Sequence, residues 1–195
     1  MEFTGAQNRV LRRYVEELEK WGNYFNLHSF DRKDLWQEAV ITSALFLDEI
    51  LPDVPKNRSD FKICDVGTGA GIPGVAIKVL LPGVSVTLVE SNKKKVSFLK
   101  NVEKKLGLKR LRIISGDVAE FARKAEELYN VVVARAFGKK FLKYAFRLAA
   151  RNGKILYYKK SYKAGSFFKE PDEIKKYPQG LILKWMPPPR RPDEE

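Results

Sequence analysis

Between Phe61 and Tyr158 the chain alternates short β-rich runs with helical stretches, and no other feature narrows its fold as far. The runs Phe61–Val66, Val84–Glu90, Leu111–Ser115, Tyr129–Ala134 and Lys154–Tyr158 have strand length and carry β-branched and aromatic residues. Helical stretches separate them at Gly74–Leu81, Lys93–Leu106, Val118–Glu127 and Lys139–Ala150. This spacing predicts an α/β fold, with a mainly parallel sheet covered by helices on both faces. Gly180–Met186 reads as a sixth strand, and Pro187-Pro188-Pro189 ends regular structure.

The first fifty residues follow a helical period instead. Val10, Leu11, Tyr14, Val15, Leu18 and Trp21 mark one helix, and Trp36, Val40, Ala44, Leu47 and Leu51 form the stripe of a second, capped by Ser29 or Asp31. Pro52 and Pro55 end it. The expected organisation is a helical extension, residues 1–57, and one α/β domain, residues 58–195. At 195 residues the chain buries about 70% of its unfolded-state surface and needs neither disulfide nor metal to fold. Cys64 has no second cysteine to pair with, and Cys64 and His28 alone make a structural zinc site improbable. The charges at Glu2, Arg9, Arg12, Arg13, Glu16, Glu17 and Glu19 exclude a signal peptide, and no apolar run is long enough to span a bilayer. The expected location is the cytoplasm.

The segment Asp65-Val66-Gly67-Thr68-Gly69-Ala70-Gly71-Ile72-Pro73-Gly74 runs from a strand through a tight turn into a helix. Glycines let the backbone take unusual angles and approach a ligand closely. Glu90 ends the next strand, where an acid typically accepts from two ribose hydroxyls. Two cofactors suit this layout. Gly69, Gly71 and Gly74 have the dinucleotide spacing, with Glu90 about the expected distance beyond. Asp65 discriminates between them: a carboxylate there repels a pyrophosphate but attracts the ammonium and sulfonium of S-adenosylmethionine. The methyl donor is therefore the expected cofactor, and a nicotinamide-dependent oxidoreductase is the alternative. Asp117, after the third strand, reads as an adenine partner, a cap for the following helix, or both, since a cap uses one oxygen.

Charge indicates the partner. The formal net charge is +13, and the ten Lys and Arg residues between Gly138 and Lys169 have no Asp or Glu among them. A polyanion, here RNA, is the expected partner. A solvated face kept for solubility is the other reading, and no helix backs a basic face onto a strongly apolar one, as a membrane surface would require.

Beyond these features the residues resemble a known family, the bacterial methyltransferases that make 7-methylguanosine in small-subunit (16S) ribosomal RNA, also called glucose-inhibited division protein B. The resemblance is carried by Trp21-Gly22-Asn23-Tyr24-Phe25-Asn26-Leu27, by Asp65 to Gly74 with its Pro73-Gly74 ending, by Lys94-Lys95-x-x-Phe98-Leu99, by Ala134-Arg135-Ala136-Phe137 and by Lys159. It implies a class I S-adenosylmethionine-dependent methyltransferase fold (Rossmann-like) with an N-terminal helical extension. It also implies cofactor contacts at Gly67, Ile72, Val118, Ala119 and Arg135, beside Asp65, Gly69, Gly71, Glu90 and Asp117 from the turn itself, and ribosomal RNA or the small subunit as partner.

The chain departs from that family at several positions. Asp117-Val118-Ala119 stands where the family shows Arg-x-Glu, and Lys159-Lys160 where it shows Lys-Gly. The family's His-x-x-Asp-Ser element is Ala39-Val40-Ile41-Thr42-Ser43. After Leu181–Met186 the usual last strand has no clear counterpart: it is either missing or replaced, and a missing strand would leave an exposed sheet edge.

The acceptor chemistry can also be read from the residues. Cys64 lies inside a predicted strand and is a core residue rather than a nucleophile for pyrimidine C5. The turn after the fourth strand, Ala134 to Phe137, lacks the Asn/Asp-Pro-Pro-aromatic pattern of exocyclic-amine methylation. Guanine N7 carries a free lone pair and no proton, so it needs alignment and no general base. Arg135 then positions the acceptor through phosphate or guanine O6. Phe137 reads as a core residue or as a stacking surface for a flipped base. Lys139, Lys140, Lys159, Lys160 and Lys163 join Arg135 as expected RNA contacts. A non-catalytic RNA-binding relative is a further alternative.

Overall fold

The computed structural model describes residues 2–138 and 140–187. Helix α1, Gly5–Gly22, starts at a capping box between Thr4 and Gln7 and buries Leu11, Tyr14 and Leu18. Those three fall on one face at helical spacing. Seven strands follow: β1 Lys62–Val66, β2 Ser85–Glu90, β3 Leu111–Ser115, β4 Tyr129–Arg135, β5 Ala149–Lys159, β6 Glu173–Tyr177 and β7 Gly180–Trp185. Helices α2 Gly74–Leu80, α3 Lys93–Leu106, α4 Val118–Lys124 and α5 Phe141–Leu148 connect the first five.

The sheet order is β3-β2-β1-β4-β5-β7-β6. Strands β1 to β5 pair in parallel, and β7 and β6 add antiparallel. Side chains alternate across the sheet, so each strand feeds two cores. Ile63, Leu88, Val131 and Leu156 face one core with α1, α2 and α3 residues such as Leu18, Ile77 and Leu99. Cys64, Val89, Val132 and Ile155 face the other with α4 and α5 residues such as Val118 and Leu148.

One open alternative is decided and one expectation is corrected. The last strand is replaced, not missing. Glu173–Tyr177 supplies the edge and precedes β7 instead of following it. Its alternation of charge with Ile174 and Tyr177 hid it, and lysines at an edge strand block pairing with other chains. The second N-terminal helix is not one helix either. It breaks into a 3₁₀ turn at Arg32–Asp34, a π-wound stretch at Gln37–Ile41, short α turns at Thr42–Ala44 and Leu47–Ile50, and a 3₁₀ turn at Leu51–Asp53. The Thr42 hydroxyl donates to the Glu38 carbonyl at 2.6 Å and the Ser43 hydroxyl to that of Ala39 at 2.8 Å. Hydroxyls that bond back in this way compete with the i→i−4 ladder. The Thr42 amide reaches Gln37 instead, an i→i−5 bond. The shifted register leaves Leu51 44% exposed, off the expected apolar stripe.

Candidate functional site

The turn after β1 is braced from beneath and from both sides. Gly67, Gly69 and Gly71 all have positive φ. The amides of Gly67 and Thr68 donate to the Val89 carbonyl, and Tyr14 of α1 donates to the Ala70 carbonyl at 2.7 Å inside the core. Asp65 is fully buried. Its Oδ2 accepts from the Thr68 hydroxyl at 2.5 Å and the Gly74 amide at 2.8 Å, while Oδ1 has no partner. The sequence argument set this carboxylate facing a bound cation; the structure sets it under the turn, where it shapes the cradle. Ile72 is buried too.

Burial pushes the Asp65 carboxyl up from its ordinary 3.8 to about 7, against the Thr68 and Gly74 hydrogen bonds, and the Glu90 charge adds to the rise. The folded state thus holds this proton at pH values where the unfolded chain has released it. The resulting contribution to stability is present below about pH 4 and fades as pH rises through 7. Asp65→Asn keeps an acceptor and removes the titration. Relative to the parent, its stability is expected to improve between pH 5 and pH 8 by an amount on the order of 2–4 kcal/mol. Urea unfolding at the two pH values measures this, and an unchanged difference would refute the assignment.

Glu90 ends β2 almost buried. Its Oε2 accepts from the Gly69 amide and its Oε1 from the Asn92 amide, both at 2.8 Å, so each oxygen keeps a lone pair. Asp117 caps α4 with one oxygen, Oδ1, which accepts from the amides of Ala119 at 2.7 Å and Glu120 at 3.2 Å. Its other oxygen has no protein partner among the described residues. Val118 is buried, and Ala119 is half-buried.

A cavity of about 550 Å³ opens on the turn. Its floor is Gly67 to Ala70 and Ile72, one wall is Asn26 to Phe30 of the N-terminal extension, and Lys95, Arg135 and Ala136 complete it. Sequence reasoning missed that wall as a site element, although it overlaps the Trp21 to Leu27 signature. His28 is engaged at both ring nitrogens: Nδ1 accepts from the Phe30 amide, which leaves Nε2–H to donate to the Leu18 carbonyl, each at 3.3 Å. It is therefore placed as a structural, not a proton-accepting, group.

Arg135 is the most constrained residue of the site. Its guanidinium lies between the rings of Phe30 and Tyr158, 5.0 and 4.7 Å from their centroids. Nη1 donates to the Glu38 carbonyl at 2.5 Å and to Thr42 Oγ1 at 2.6 Å, and Nη2 donates to Glu38 Oε2. Glu38 carried no signal in the sequence, because it looked like an ordinary position on a helix, and Thr42 stood out only as a departure from the family's pattern, with nothing to tie it to Arg135. Lys160 also pairs with Glu38, at 2.9 Å, and remains 72% exposed. Lys159 lies over the Phe167 ring, and Lys140 and Lys163 are exposed. Lys139 lies outside the described residues. Lys159 and Lys160 line a second hollow of about 350 Å³ that shares Arg135 and Ala136 with the first. Phe137 is half-buried against Gly67, and Cys64 is core, its thiol pushed up by burial and then by the Asp65 charge. Among the described residues no group of His, Cys, Asp and Glu is arranged to hold a metal, and no helix is long and apolar enough to cross a membrane.

A sheet ordered 3-2-1-4-5-7-6, with a glycine turn after β1 and an acid ending β2, defines a class I methyltransferase. The solved structures agree on the fold. An RNA methyltransferase from Salinibacter ruber in complex with S-adenosyl-L-homocysteine matches with a TM-score of 0.58 at 16% identity, over 78% of this chain and 94% of that one. An O-methyltransferase family protein from Burkholderia thailandensis matches with a TM-score of 0.57 at 8% identity, over 82% and 60%.

Residues 7–178 match the GidB family, rRNA small subunit methyltransferase G, and the chain belongs to that family. Proteins named ribosomal RNA small subunit methyltransferase G are similar along most of the chain. That of Chromobacterium violaceum is 30% identical over 185 residues, 94% of this chain and 81% of the relative. That of Burkholderia vietnamiensis is 31% identical over 93% and 76%, and that of Mesoplasma florum 34% identical over 74% and 58%. The enzyme is thus an S-adenosylmethionine-dependent rRNA methyltransferase, and the nicotinamide alternative is set aside. The turn fits that cofactor: a Cβ at Gly69 would meet only Lys95 Nζ at 3.9 Å, so the backbone there is open to close approach, and Glu90 and Asp117 have acceptor capacity to spare.

Proposed function

We propose that this enzyme transfers a methyl group to N7 of a guanosine in 16S ribosomal RNA, in the cytoplasm, with the acceptor base entering the cavity beside Arg135. The observation that carries the reading is the cavity lining: among the described residues it holds no carboxylate, and its single histidine is committed at both nitrogens. An acceptor that must lose a proton needs a base, and N7 does not.

In this reading Gly67, Gly69, Gly71 and Ile72 cradle the methionyl part, with Asp65 holding the turn in shape. Glu90 takes the ribose hydroxyls. Asp117 takes the adenine amine through its uncommitted oxygen, with Val118 and Ala119 lining the adenine site. Arg135 orients the acceptor. Lys140, Lys159, Lys160 and Lys163 meet the RNA backbone, together with Lys139. The extension, residues 1–57, supplies a wall of the acceptor site to the methyltransferase domain, residues 58–195.

The test is the product. Labelled donor is incubated with naked small-subunit RNA and with assembled small subunits, and the RNA is digested for mass spectrometry. The expected nucleoside is 7-methylguanosine. Single-turnover rates at saturating substrate should be nearly flat from about pH 6 to 9, because no base must ionise. A product methylated on an exocyclic amine or ribose oxygen, or a steep limb near neutrality, would defeat the reading.

A further inference from the structure

At Ala39-Val40-Ile41-Thr42-Ser43 the chain has Thr42 where the resembling family carries an aspartate. Position 42 nonetheless stands against Arg135, with Thr42 Oγ1 2.6 Å from Nη1. The carboxylate that reaches this guanidinium comes from Glu38, four residues earlier and one turn back on the same face. Glu38 lies within the π-wound stretch that Thr42 caps, and its backbone carbonyl also accepts from Arg135 Nη1.

The pair is enclosed. The Arg135 and Glu38 side chains are 9% and 12% exposed. A buried guanidinium stripped of its carboxylate is an uncompensated charge, and it is drawn toward water and away from its packed position. The stack between Phe30 and Tyr158 fixes the plane of the guanidinium; Glu38 and Thr42 fix its rotation within that plane.

We propose that Glu38 is the positioning residue for Arg135, supplying from one turn away the carboxylate that position 42 no longer carries. The proposal rests on the reading that Arg135 orients the acceptor. It has a consequence in sign. Thr42→Asp alone sets two carboxylates against one buried guanidinium, with only the largely exposed Lys160 as a second cation, and harms the site. Thr42→Asp together with Glu38→Gln returns the count to one carboxylate and repairs it. A residue that only fills space gives no such reversal.

The experiment compares Glu38→Gln, Thr42→Asp and the double variant by denaturant unfolding without cofactor and by methyl transfer to small-subunit RNA. Glu38→Gln is expected to lower kcat at least about tenfold while cofactor affinity stays within about threefold. Thr42→Asp lowers both kcat and the unfolding midpoint. The double variant returns to within about threefold of the parent kcat and unfolds at a higher denaturant concentration than either single variant. A Glu38→Gln enzyme with parental kcat overturns the positioning role. A double variant no more stable than the weaker single one overturns the exchange of carboxylates. If Glu38→Gln does not fold, Glu38→Asp serves: it keeps the charge and displaces it, so kcat should fall with little change in midpoint, and an unchanged kcat overturns the proposal. If Arg135→Ala itself leaves kcat intact, the reading of Arg135 fails, while the midpoint cycle still reports whether Glu38 and position 42 exchange their carboxylate.

Discussion

Arg135→Ala is expected to slow methyl transfer by about two to three orders of magnitude, with cofactor affinity falling by at most about tenfold. The asymmetry follows from what the side chain touches. Its guanidinium is stacked between Phe30 and Tyr158 and held at its edge by Glu38 and Thr42, so it is a rigid wall of the acceptor cavity. A rigid wall contributes alignment, and losing about 1 Å of alignment costs roughly a hundredfold in rate. Nε makes no hydrogen bond among the described residues, and an acceptor phosphate or guanine O6 is its natural partner. Arg135→Lys should recover part of the rate, because an ammonium pairs with Glu38 but neither stacks as a plane nor donates as a fork. Arg135→Ala should also lower stability by about 3 kcal/mol, with Lys160 left as the remaining cation on Glu38. Rates are therefore compared in single turnovers at a temperature where both proteins are folded. An alanine variant within about threefold of the parent rate would remove Arg135 from the reaction.

How far the sequence could be read depended on whether a feature was local. The parallel core was legible because each of β1 to β4 is a short run rich in β-branched residues followed by its own helix, and the glycine turn because its spacing is contiguous in the chain. Asp117 was legible as a cap for the same reason. Edge strand β6 was not, because Glu173, Lys175 and Lys176 carry the polarity expected of a loop. The clamp on Arg135 joins residues 93 and 97 positions apart, and neither Glu38 nor Thr42 carries a mark of that distant partner. Tyr14 read as one more apolar position on α1, yet its hydroxyl crosses to Ala70, 56 residues on, and ties the extension to the turn. Asp65 shows the opposite failure. Its place beside the first glycine was read correctly, but which way it faces is set by the strand's alternation and by Gly74 folding back over it, neither of which the motif states.

Gly67→Ala is expected to destabilise the fold by about 2–5 kcal/mol and to abolish measurable cofactor binding at ordinary concentrations. Two independent costs combine. The residue has φ +66°, where a non-glycine residue costs roughly 1–2 kcal/mol. A Cβ built there would also fall 2.0 Å from Cδ2 of Phe137, far inside contact distance. The ring is half-buried and packs edge-on to Phe141, 6.4 Å between centroids, so it cannot move without loosening the start of α5. Phe137→Ala should relieve the second cost and leave the first. The double variant is therefore expected to be more stable than the sum of the single changes by at least about 1 kcal/mol. Cofactor binding should return only in part, because the added methyl still projects at the floor of the cavity that Gly67 lines. Urea unfolding and calorimetry on the three variants measure both effects. Strictly additive stabilities would show that Phe137 is not what excludes a side chain at position 67. Parental cofactor affinity in Gly67→Ala would remove this glycine from the cradle.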